Sequence, residues 1–339
     1  MSQIYLVDSR LKLGIRDGQI AVTNLEDGSE RCVPLAQVDG ISVFGCAQLS
    51  TQLIRACISE NIQIGYYSED GHYFGSISSN QHIDPGRQKR QIMLTDDAGF
   101  CLEWSRRIIE AKIRNSISLL VAMGDVYDFT ADDLAGLYHS LGSLKSAETV
   151  DMVLGFEGNA AKAYFTCLPK VLRNEDFAFR GRSSRPPRDP FNSLLSYGYS
   201  LLYRDIIGAI DRHGVHPYFA FMHRLRFGHA ALASDLIEEF RAPLVDRTVV
   251  DLVNEGVVEL SDFQKNESGA FYLRKDAARR VINRFSEAIV KDCRYFLSSG
   301  DRKSYGFQAM LDKKIVMLLR AIELRDASAY QPFVWEPGQ

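Results

Sequence analysis

Three segments in the second half of the sequence contain residues that could bind a metal ion. Glu157 lies in DMVLGFEGNAAKAYF, at residues 151–165. His223 ends the aromatic run HPYFAFMH, and Asp235 and Glu238 lie three residues apart in ALASDLIEEF. Carboxylates combined with an imidazole are ligands suited to Mg²⁺ or Mn²⁺. Such an ion can polarise a phosphodiester and activate an attacking hydroxyl.

Glu157 is the residue that its own helix explains least. With about 100° of rotation per residue, Glu157 lies near the middle of an apolar stripe made of Val150, Val153, Leu154, Ala161, Tyr164 and Phe165. An unpaired carboxylate is strongly unfavourable in such surroundings. Gly155 and Gly158 flank it, and each costs a helix about 1 kcal/mol relative to alanine. We therefore expect a cation beside Glu157 and a large partner close to this backbone.

Each of these residues also has a purely structural interpretation. Glu157 could be a buried acid paired with an arginine such as Arg224 or Arg241. His223 could be a hydrogen-bonded core histidine. The two acids of ALASDLIEEF could form a solvated helix face.

The loop RGRSSRPPR, at residues 180–188, is strongly basic, although the whole chain has a net charge of -3. Its arginines are predicted to contact DNA phosphates without reading bases; they are Arg180, Arg182, Arg185 and Arg188. The alternative is a solubilising or disordered surface segment.

The first eighty residues are predicted to form β-structure. Asp17-Gly18 and Asp70-Gly71 each separate two runs of strand-forming residues, which is typical of hairpin turns. Between them, STQLIRACISEN has helical periodicity and is expected to pack on the sheet. We therefore predict a small β-rich N-terminal domain over residues 1–80.

The rest of the chain is predicted to be helical. The segment SSNQHIDPGRQ has no periodicity and indicates a linker at residues 81–90. Two long amphipathic helices follow, AGFCLEWSRRIIEAKIRNSISLLVAM and DPFNSLLSYGYSLLYRDIIGAIDRHG. In the second, Asp189 is the expected N-cap, Pro190 the first helical residue and Gly214 the residue beyond the end. The predicted fold is α+β, with an all-α domain at residues 91–339.

Composition excludes several classes of protein. The chain has 339 residues, of which 46% are hydrophobic and 24% charged, as in an ordinary globular protein. Its six cysteines are scattered without a CxxC pair, which argues against a disulfide framework and a zinc site. The sequence has no apolar run of membrane-spanning length and no signal peptide, so we expect a cytoplasmic location.

Three blocks together resemble one known family. GFEGNAAKAYF, then RPPRDPFNSLLSYGYSLLY, then HPYFAFMH with ALASDLIEEFRAPLVDR are similar in order and spacing to the signature blocks of the CRISPR-associated endonuclease and integrase of the spacer-acquisition module, Cas1. The resemblance covers most of the chain. It implies a β-sandwich-like N-terminal domain that forms a homodimer, followed by a helical catalytic domain.

The resemblance also implies roles for particular residues. Glu157, His223 and Glu238 would be catalytic and would hold Mg²⁺ or Mn²⁺, with Asp235 as a nearby catalytic acid. Family members often have aspartate where this chain has Glu238. This sequence also contains His229, which is a rival for the role of the histidine ligand.

The implied reaction joins a short double-stranded DNA fragment to a CRISPR repeat. The 3′-hydroxyl of the fragment attacks a phosphodiester at the edge of the repeat, and a small partner, Cas2, bridges two dimers. Two alternatives stay open, namely a metal-dependent nuclease that does not integrate and a non-catalytic DNA-binding scaffold.

Overall fold

A computed structural model describes residues 2–68, 73–183, 186–290, 292–296 and 302–336. The fold is mixed α+β, with sheets in the N-terminal region and mainly helices after it. The chain divides into two compact units, one of residues 1–83 with 274–282 and one of residues 84–273 with 283–339. The predicted fold class is therefore confirmed in outline.

The first unit contains two sheets and a helix. One sheet has the strand order β1-β5-β7-β8 and the other has the order β4-β3-β2-β6. The elements are β1 Ser2–Leu6, β2 Leu11–Arg16, β3 Gln19–Asn24, β4 Glu30–Pro34, β5 Val38–Phe44, β6 Gln48–Leu49, α1 Thr51–Ser59, β7 Gln63–Tyr67 and β8 Tyr73–Ile77.

The turn between β2 and β3 is the predicted two-residue hairpin. Arg16 pairs with Gln19, and Asp17 and Gly18 have φ values of 50° and 74°. Both positive φ values are what a tight hairpin turn of this kind requires. Strands β7 and β8 are also antiparallel neighbours, whereas the predicted turn at Asp70-Gly71 lies outside the described residues.

Both sheets contribute to a single core. Leu13 and Ile20 from the second sheet share a buried cluster with Ile41 and Ile64 from the first, and Leu53 of α1 joins them. Two sheets packed face to face through alternating apolar side chains form a sandwich-like layer. The helical prediction for α1 is confirmed, including its packing on the sheets.

The second unit is mainly helical but also contains short strands. Its elements are α2 Pro85–Leu94, α3 Ala98–Ala122, α4 Ala131–Ser143, α5 Val150–Cys167, α6 Pro190–Arg212, α7 Ala231–Ile237, a π-helix Arg241–Asp246, α8 Arg247–Asn254, β9 Phe263–Lys265, β10 Phe271–Leu273, α9 Lys275–Val290, β11 Asp292–Phe296, β12 Arg302–Gly306 and α10 Phe307–Leu324. The first part of α9 belongs to the first unit.

Two details differ from the sequence-based prediction. Much of the expected linker at residues 81–90 is helical, because the side chain of Asp84 accepts hydrogen bonds from the backbone N–H groups of Gly86 and Arg87 and so caps α2. Pro85 then occupies the first helical position, which proline tolerates well. The second unit is also not purely helical, since β9 pairs with β10 and β11 with β12.

The predicted boundaries of α6 are confirmed. The side chain of Asp189 accepts a hydrogen bond from the backbone N–H of Asn192 at 2.7 Å, and Pro190 is the first helical residue. Gly214 follows the C-cap with φ of 67°. In the part of the chain that the structure describes, no helix combines the length and apolarity that crossing a bilayer would require.

Candidate active site

Helix α5 brings Glu157 to the inner face of the second unit. Val153, Ala160 and Tyr164 are buried on that face, and Glu157 occupies the helical position between Val153 and Ala160. Its side chain is only 23% exposed. The helix begins at a Thr149 N-cap, whose side chain accepts a hydrogen bond from the N–H of Met152. The sequence-based placement of Glu157 on an inward stripe is therefore confirmed.

A lysine ammonium lies between two of the predicted ligands. Lys112, on α3, contacts Oε1 of Glu157 and lies 2.7 Å from Oε2 of Glu238. Burial opposes its charge, but the carboxylates of Glu238 and Glu157 outweigh burial and raise the pKa of Lys112. Two acids from distant parts of the chain thus converge on one cation.

Glu238 is almost fully buried, just after α7, with a side chain only 5% exposed. Its other oxygen, Oε1, lies 3.0 Å from Nη2 of Arg241. Burial disfavours the carboxylate, but Arg241 and Lys112 outweigh burial and lower the pKa of Glu238 to about 2. Oε2 has Lys112 as its ion-pair partner and accepts no further hydrogen bond among the described residues, so this oxygen keeps acceptor capacity for another cation.

Asp235 holds the loop that carries His223. Its carboxylate is fully buried and accepts a hydrogen bond from Nδ1 of His223 at 2.8 Å. The same carboxylate accepts the indole N–H of Trp104 and three consecutive backbone N–H groups, those of Phe221, Met222 and His223. With every acceptor direction used inside the protein, Asp235 acts as a positioning group.

The hydrogen bond to Asp235 also determines the chemistry of His223. If Nδ1 carries the proton that it donates, Nε2 has the lone pair that can bind an ion. Burial favours the neutral ring, but the hydrogen bond and charge of Asp235 outweigh burial and raise the pKa of His223. The side chain remains 31% exposed, so a ligand can reach it.

The rival histidine is held differently. The ring of His229 interacts through Nε2 with the hydroxyl of Ser234 at 2.9 Å and through Nδ1 with the hydroxyl of Tyr203 at 3.3 Å. It also stacks on the Tyr203 ring, with an interplanar angle of 10°. Because both nitrogens are engaged, the geometry favours His223 over His229 as the ligand.

The two arginines that were candidate partners of Glu157 pair with other acids. Arg224 pairs with Asp151 at 3.1 Å, and Arg241 pairs with Glu238, so neither is the expected ion-pair partner of Glu157. The interpretation of the two acids of ALASDLIEEF as a solvated face is wrong, because both side chains are buried. They lie inside because α7 is itself surrounded by the protein.

A buried network that the sequence analysis missed supports Arg241. The guanidinium lies 4.6 Å from the centre of the Tyr199 ring. Tyr199 and Tyr164 both donate their hydroxyl protons to Asp246, the last residue of the π-helix. π-Helical turns occur frequently at functional sites, and here the turn places Arg241 over the Tyr199 ring and Asp246 at the Tyr199 hydroxyl.

Lys112 is the other residue that the sequence analysis missed. A usable signal exists in the sequence, since Lys112 follows Ile108 and precedes Ser116 at helical spacing on the buried side of α3. When a basic residue such as Lys112 lies on the buried side of one helix and an acidic residue such as Glu157 lies on the buried side of another, the two are expected to form a buried ion pair.

The donor set fits a divalent ion of the Mg²⁺ or Mn²⁺ type. The carboxylates of Glu157 and Glu238 and the imidazole of His223 supply the hard oxygen and nitrogen ligands that such ions accept. The ammonium of Lys112 shows that the site holds a positive charge. Among the described residues, no three acidic, histidine or cysteine side chains are arranged around a single ion position, and Lys112 occupies the space between the two carboxylates.

The basic loop contributes exposed and inward-facing arginines. Arg180 and Arg188 are exposed, as a phosphate contact requires. Arg182 instead donates to Asn192 Oδ1 at 2.9 Å and to Ser196 Oγ at 3.1 Å, and burial lowers its pKa. The structure thus makes Arg182 a support of α6 rather than a surface contact, and Arg185 lies outside the described residues.

Comparison with known proteins identifies the family. The model of the family described as CRISPR associated protein Cas1 matches residues 4–287. A CRISPR-associated endonuclease Cas1 from Mycobacterium tuberculosis is 40% identical over 324 residues, which cover 95% of this chain and 94% of the relative. A second Cas1 endonuclease, from Rhodospirillum rubrum, is 32% identical and covers 95% of each chain. The chain belongs to the Cas1 family of CRISPR-associated proteins.

Solved structures share the fold. A Cas1 protein from Thermotoga maritima has a TM-score of 0.79 at 21% identity, with 95% of this chain and 97% of that chain covered. A casposase bound to an integration product has a TM-score of 0.82 at 23% identity, with 100% and 96% covered. A Cas6-RT-Cas1–Cas2 complex has a TM-score of 0.78 at 22% identity and covers 100% of this chain and 36% of that chain.

Proposed function

We propose that this chain is a metal-dependent DNA endonuclease and integrase that inserts short DNA fragments into a CRISPR array. The observation that carries the proposal is the convergence of Glu157 and Glu238 on one cation. Glu238 lies three residues along the chain from Asp235, which holds His223. Family membership supports it, because the relatives are named CRISPR-associated endonucleases.

Glu157, Glu238 and Nε2 of His223 would hold Mg²⁺ or Mn²⁺. A bound ion of this type polarises a phosphodiester and stabilises charge on the attacking and leaving oxygens. Asp235 keeps the imidazole in the tautomer that presents Nε2. Arg241 balances the charge of Glu238 in a site that would otherwise hold uncompensated buried carboxylates.

The reaction is phosphoryl transfer without a covalent enzyme intermediate. The 3′-hydroxyl oxygen of a DNA fragment forms a bond to phosphorus at the edge of a repeat, and the bond from phosphorus to the leaving 3′-oxygen breaks. The attacking hydroxyl releases its proton, and the leaving oxygen takes one up. With water as the nucleophile, the same site would hydrolyse DNA.

Two surface features support DNA binding. Arg180 and Arg188 are exposed in the basic loop. On α5, the glycines Gly155 and Gly158 are exposed, and an added Cβ at either would meet no described atom beyond the neighbouring backbone of its own helix within 4 Å. We place the path of a DNA strand over the open surface at Gly158, which directly follows Glu157.

We further propose that the chain forms a homodimer and works with Cas2. The likeness of its fold to a chain of the Cas6-RT-Cas1–Cas2 complex supports the choice of Cas2 as the partner.

A strand-transfer assay tests the proposal. The protein is incubated with a labelled double-stranded fragment and a repeat-bearing plasmid, in Mn²⁺ or Mg²⁺, with and without Cas2. We expect joined product from the wild type, none from Glu157→Gln and normal joining by the control Glu148→Gln, which changes an exposed acid just before α5. Cutting without joining would indicate a nuclease only, and binding without either reaction would indicate a scaffold.

A further inference from the structure

The segment between the two histidines is a loop with both ends held by contacts and a fully exposed tip. At one end His223 is held by Asp235, with Nδ1 to Oδ1 at 2.8 Å. At the other end His229 is stacked on Tyr203 and bonded to Ser234. Residues 224–228 between them are all exposed, and we name them the histidine loop.

The tip of the histidine loop is a tight turn that presents an aromatic ring. The N–H of His229 donates to the carbonyl of Arg226 at 3.2 Å, and Gly228 has φ of 67°, as the third residue of a type II turn requires. Phe227 therefore sits at the outer corner, with a relative exposure of 109%, and Leu225 is 59% exposed.

Leaving a phenylalanine in water forgoes the favourable free energy of burying its ring. A single exposed apolar residue needs no explanation on an ordinary surface. Phe227 differs because it lies in a tight turn whose two ends are held. One of these ends is His223, so the distance of Phe227 from His223 is limited. Phe227 is the fourth residue after His223, a span of at most about 14 Å for an extended chain.

The chemistry around Phe227 points to a nucleobase. The ring directly follows Arg226 in the sequence, and a flat apolar face beside positive charge matches a base attached to a phosphate backbone. Successive bases on one strand lie about 3.4 Å apart, so a ring within this reach can meet a base one to a few nucleotides from the phosphate at the site. An unpaired base at a fragment end can be splayed out of the stack and offers its face, whereas a base inside a duplex is covered on both faces by its neighbours.

We propose that Phe227 stacks on an unpaired base of the DNA strand that enters the active site, and so positions the reacting end. This inference rests on the proposed function, because it takes DNA to be the ligand of the site.

A tryptophan reporter tests the stacking without any reaction. The native tryptophans, Trp104 and Trp335, are buried, at 0% and 6% exposure, so Phe227→Trp adds an exposed indole. In the absence of metal, we expect duplex DNA with a short 3′ overhang to quench its fluorescence. Blunt duplex, or the same overhang with abasic nucleotides, should quench it much less. The control Leu25→Trp, at a site that is 52% exposed in the first unit, should not respond.

Binding measurements provide the second test. Because stacking on an aromatic side chain contributes about 1–3 kcal/mol per base, Phe227→Ala should weaken binding of the overhang DNA by roughly 5-fold to 150-fold. Abasic nucleotides should weaken binding by the wild type similarly and cause little further loss in Phe227→Ala. Additive losses, or unchanged binding by Phe227→Ala, would overturn the inference.

The outcomes separate this inference from the proposed function. If the wild type joins or cuts DNA while Phe227→Trp shows no quenching, only the stacking fails. If quenching occurs but the wild type shows no reaction on DNA, the proposed function fails and the stacking stands. A change of oligomeric state in Phe227→Ala with normal DNA binding would assign the tip to a second copy of the chain and overturn the inference.

Discussion

Lys112 is the residue that occupies the position between the two carboxylates. A divalent ion that binds Glu157 and Glu238 has to displace its ammonium, so lysine and ion compete. We predict that Lys112→Met binds Mn²⁺ at least about tenfold more tightly than the wild type in calorimetry, since an uncompensated pair of buried acids gains more from the ion. Without metal the variant should melt at a lower temperature, and the rise in melting temperature caused by Mn²⁺ should be larger.

The matched control for Lys112 is Lys170, which pairs with Asp133 elsewhere in the same unit. Lys170→Met should leave Mn²⁺ affinity unchanged. Weaker Mn²⁺ binding by Lys112→Met would mean that the lysine assembles the site instead of competing for it.

The two histidines are expected to behave differently. His223→Ala should lose metal-dependent activity by several orders of magnitude and lose Mn²⁺ binding, whereas His229→Ala should keep most of both. Asp235→Asn should lie between them, with a loss of about 10-fold to 100-fold, which is typical when a group that orients a ligand is removed. Calorimetry with the three variants checks this, and the assignment fails if His229→Ala is the variant that no longer binds Mn²⁺.

At the scale of single elements, substitutions at the glycines of α5 are expected to change both the stability of the helix and the affinity for DNA. Each lies in a helix with open space around it, so Gly155→Ala and Gly158→Ala should stabilise the protein by about 0.5–1 kcal/mol each. Gly158→Leu should also fold but bind DNA more weakly, because its side chain fills the surface over which we place the strand.

Urea denaturation and DNA titration measure the two effects on α5 separately. Gly142, on α4, also has open space around it, and Gly142→Leu is the control for side-chain size. If Gly158→Leu binds DNA as tightly as the wild type, DNA does not pass over this surface of α5.

The basic loop should act through phosphate contacts alone. We expect Arg180→Ala with Arg188→Ala to weaken binding equally for unrelated DNA sequences, and to flatten the dependence of log affinity on log salt by about one unit for each arginine. Arg182→Ala should instead lower stability, since its guanidinium supports Asn192 and Ser196 of α6. Arg114→Ala, in an exposed pair with Glu110, is the control. If the slope of log affinity against log salt equals that of the wild type, the basic loop does not contact DNA phosphates.

At the scale of the whole molecule, the first unit is the expected place of the subunit contact. Strand β8 lies at the edge of its sheet, and edge strands tend to pair with other chains. Phe74 on β8 is 69% exposed. We predict that Phe74→Glu is monomeric in light scattering at concentrations where the wild type is a dimer.

The control for the dimer prediction is Leu324→Glu, which places the same charge at a residue 57% exposed at the end of α10. It should remain dimeric. If both variants stay dimeric, the interface lies away from β8, and a monomeric wild type would contradict the homodimer itself.

The sequence by itself determined those features that depend on residues close together in the chain. The Asp17-Gly18 turn, the Asp189 cap of α6 and the inward stripe with Glu157 all result from neighbours within one or two helical turns or one hairpin. The helix within the expected linker could also have been predicted from the sequence, because Asp84 is an N-cap residue and Pro85 follows it at the first helical position. Such local interactions leave direct patterns in residue type and spacing.

Only the tertiary structure decided which groups meet at the site. Lys112 and Glu157 are 45 residues apart, and Trp104 and Asp235 are 131 apart. Residue type alone did not distinguish Asp235, enclosed by five donors, from Glu238, which keeps acceptor capacity for a cation. Nor did it separate the inward-facing Arg182 from the exposed Arg180. The difference in each case is burial, and burial is set by helices that pack together from distant parts of the chain.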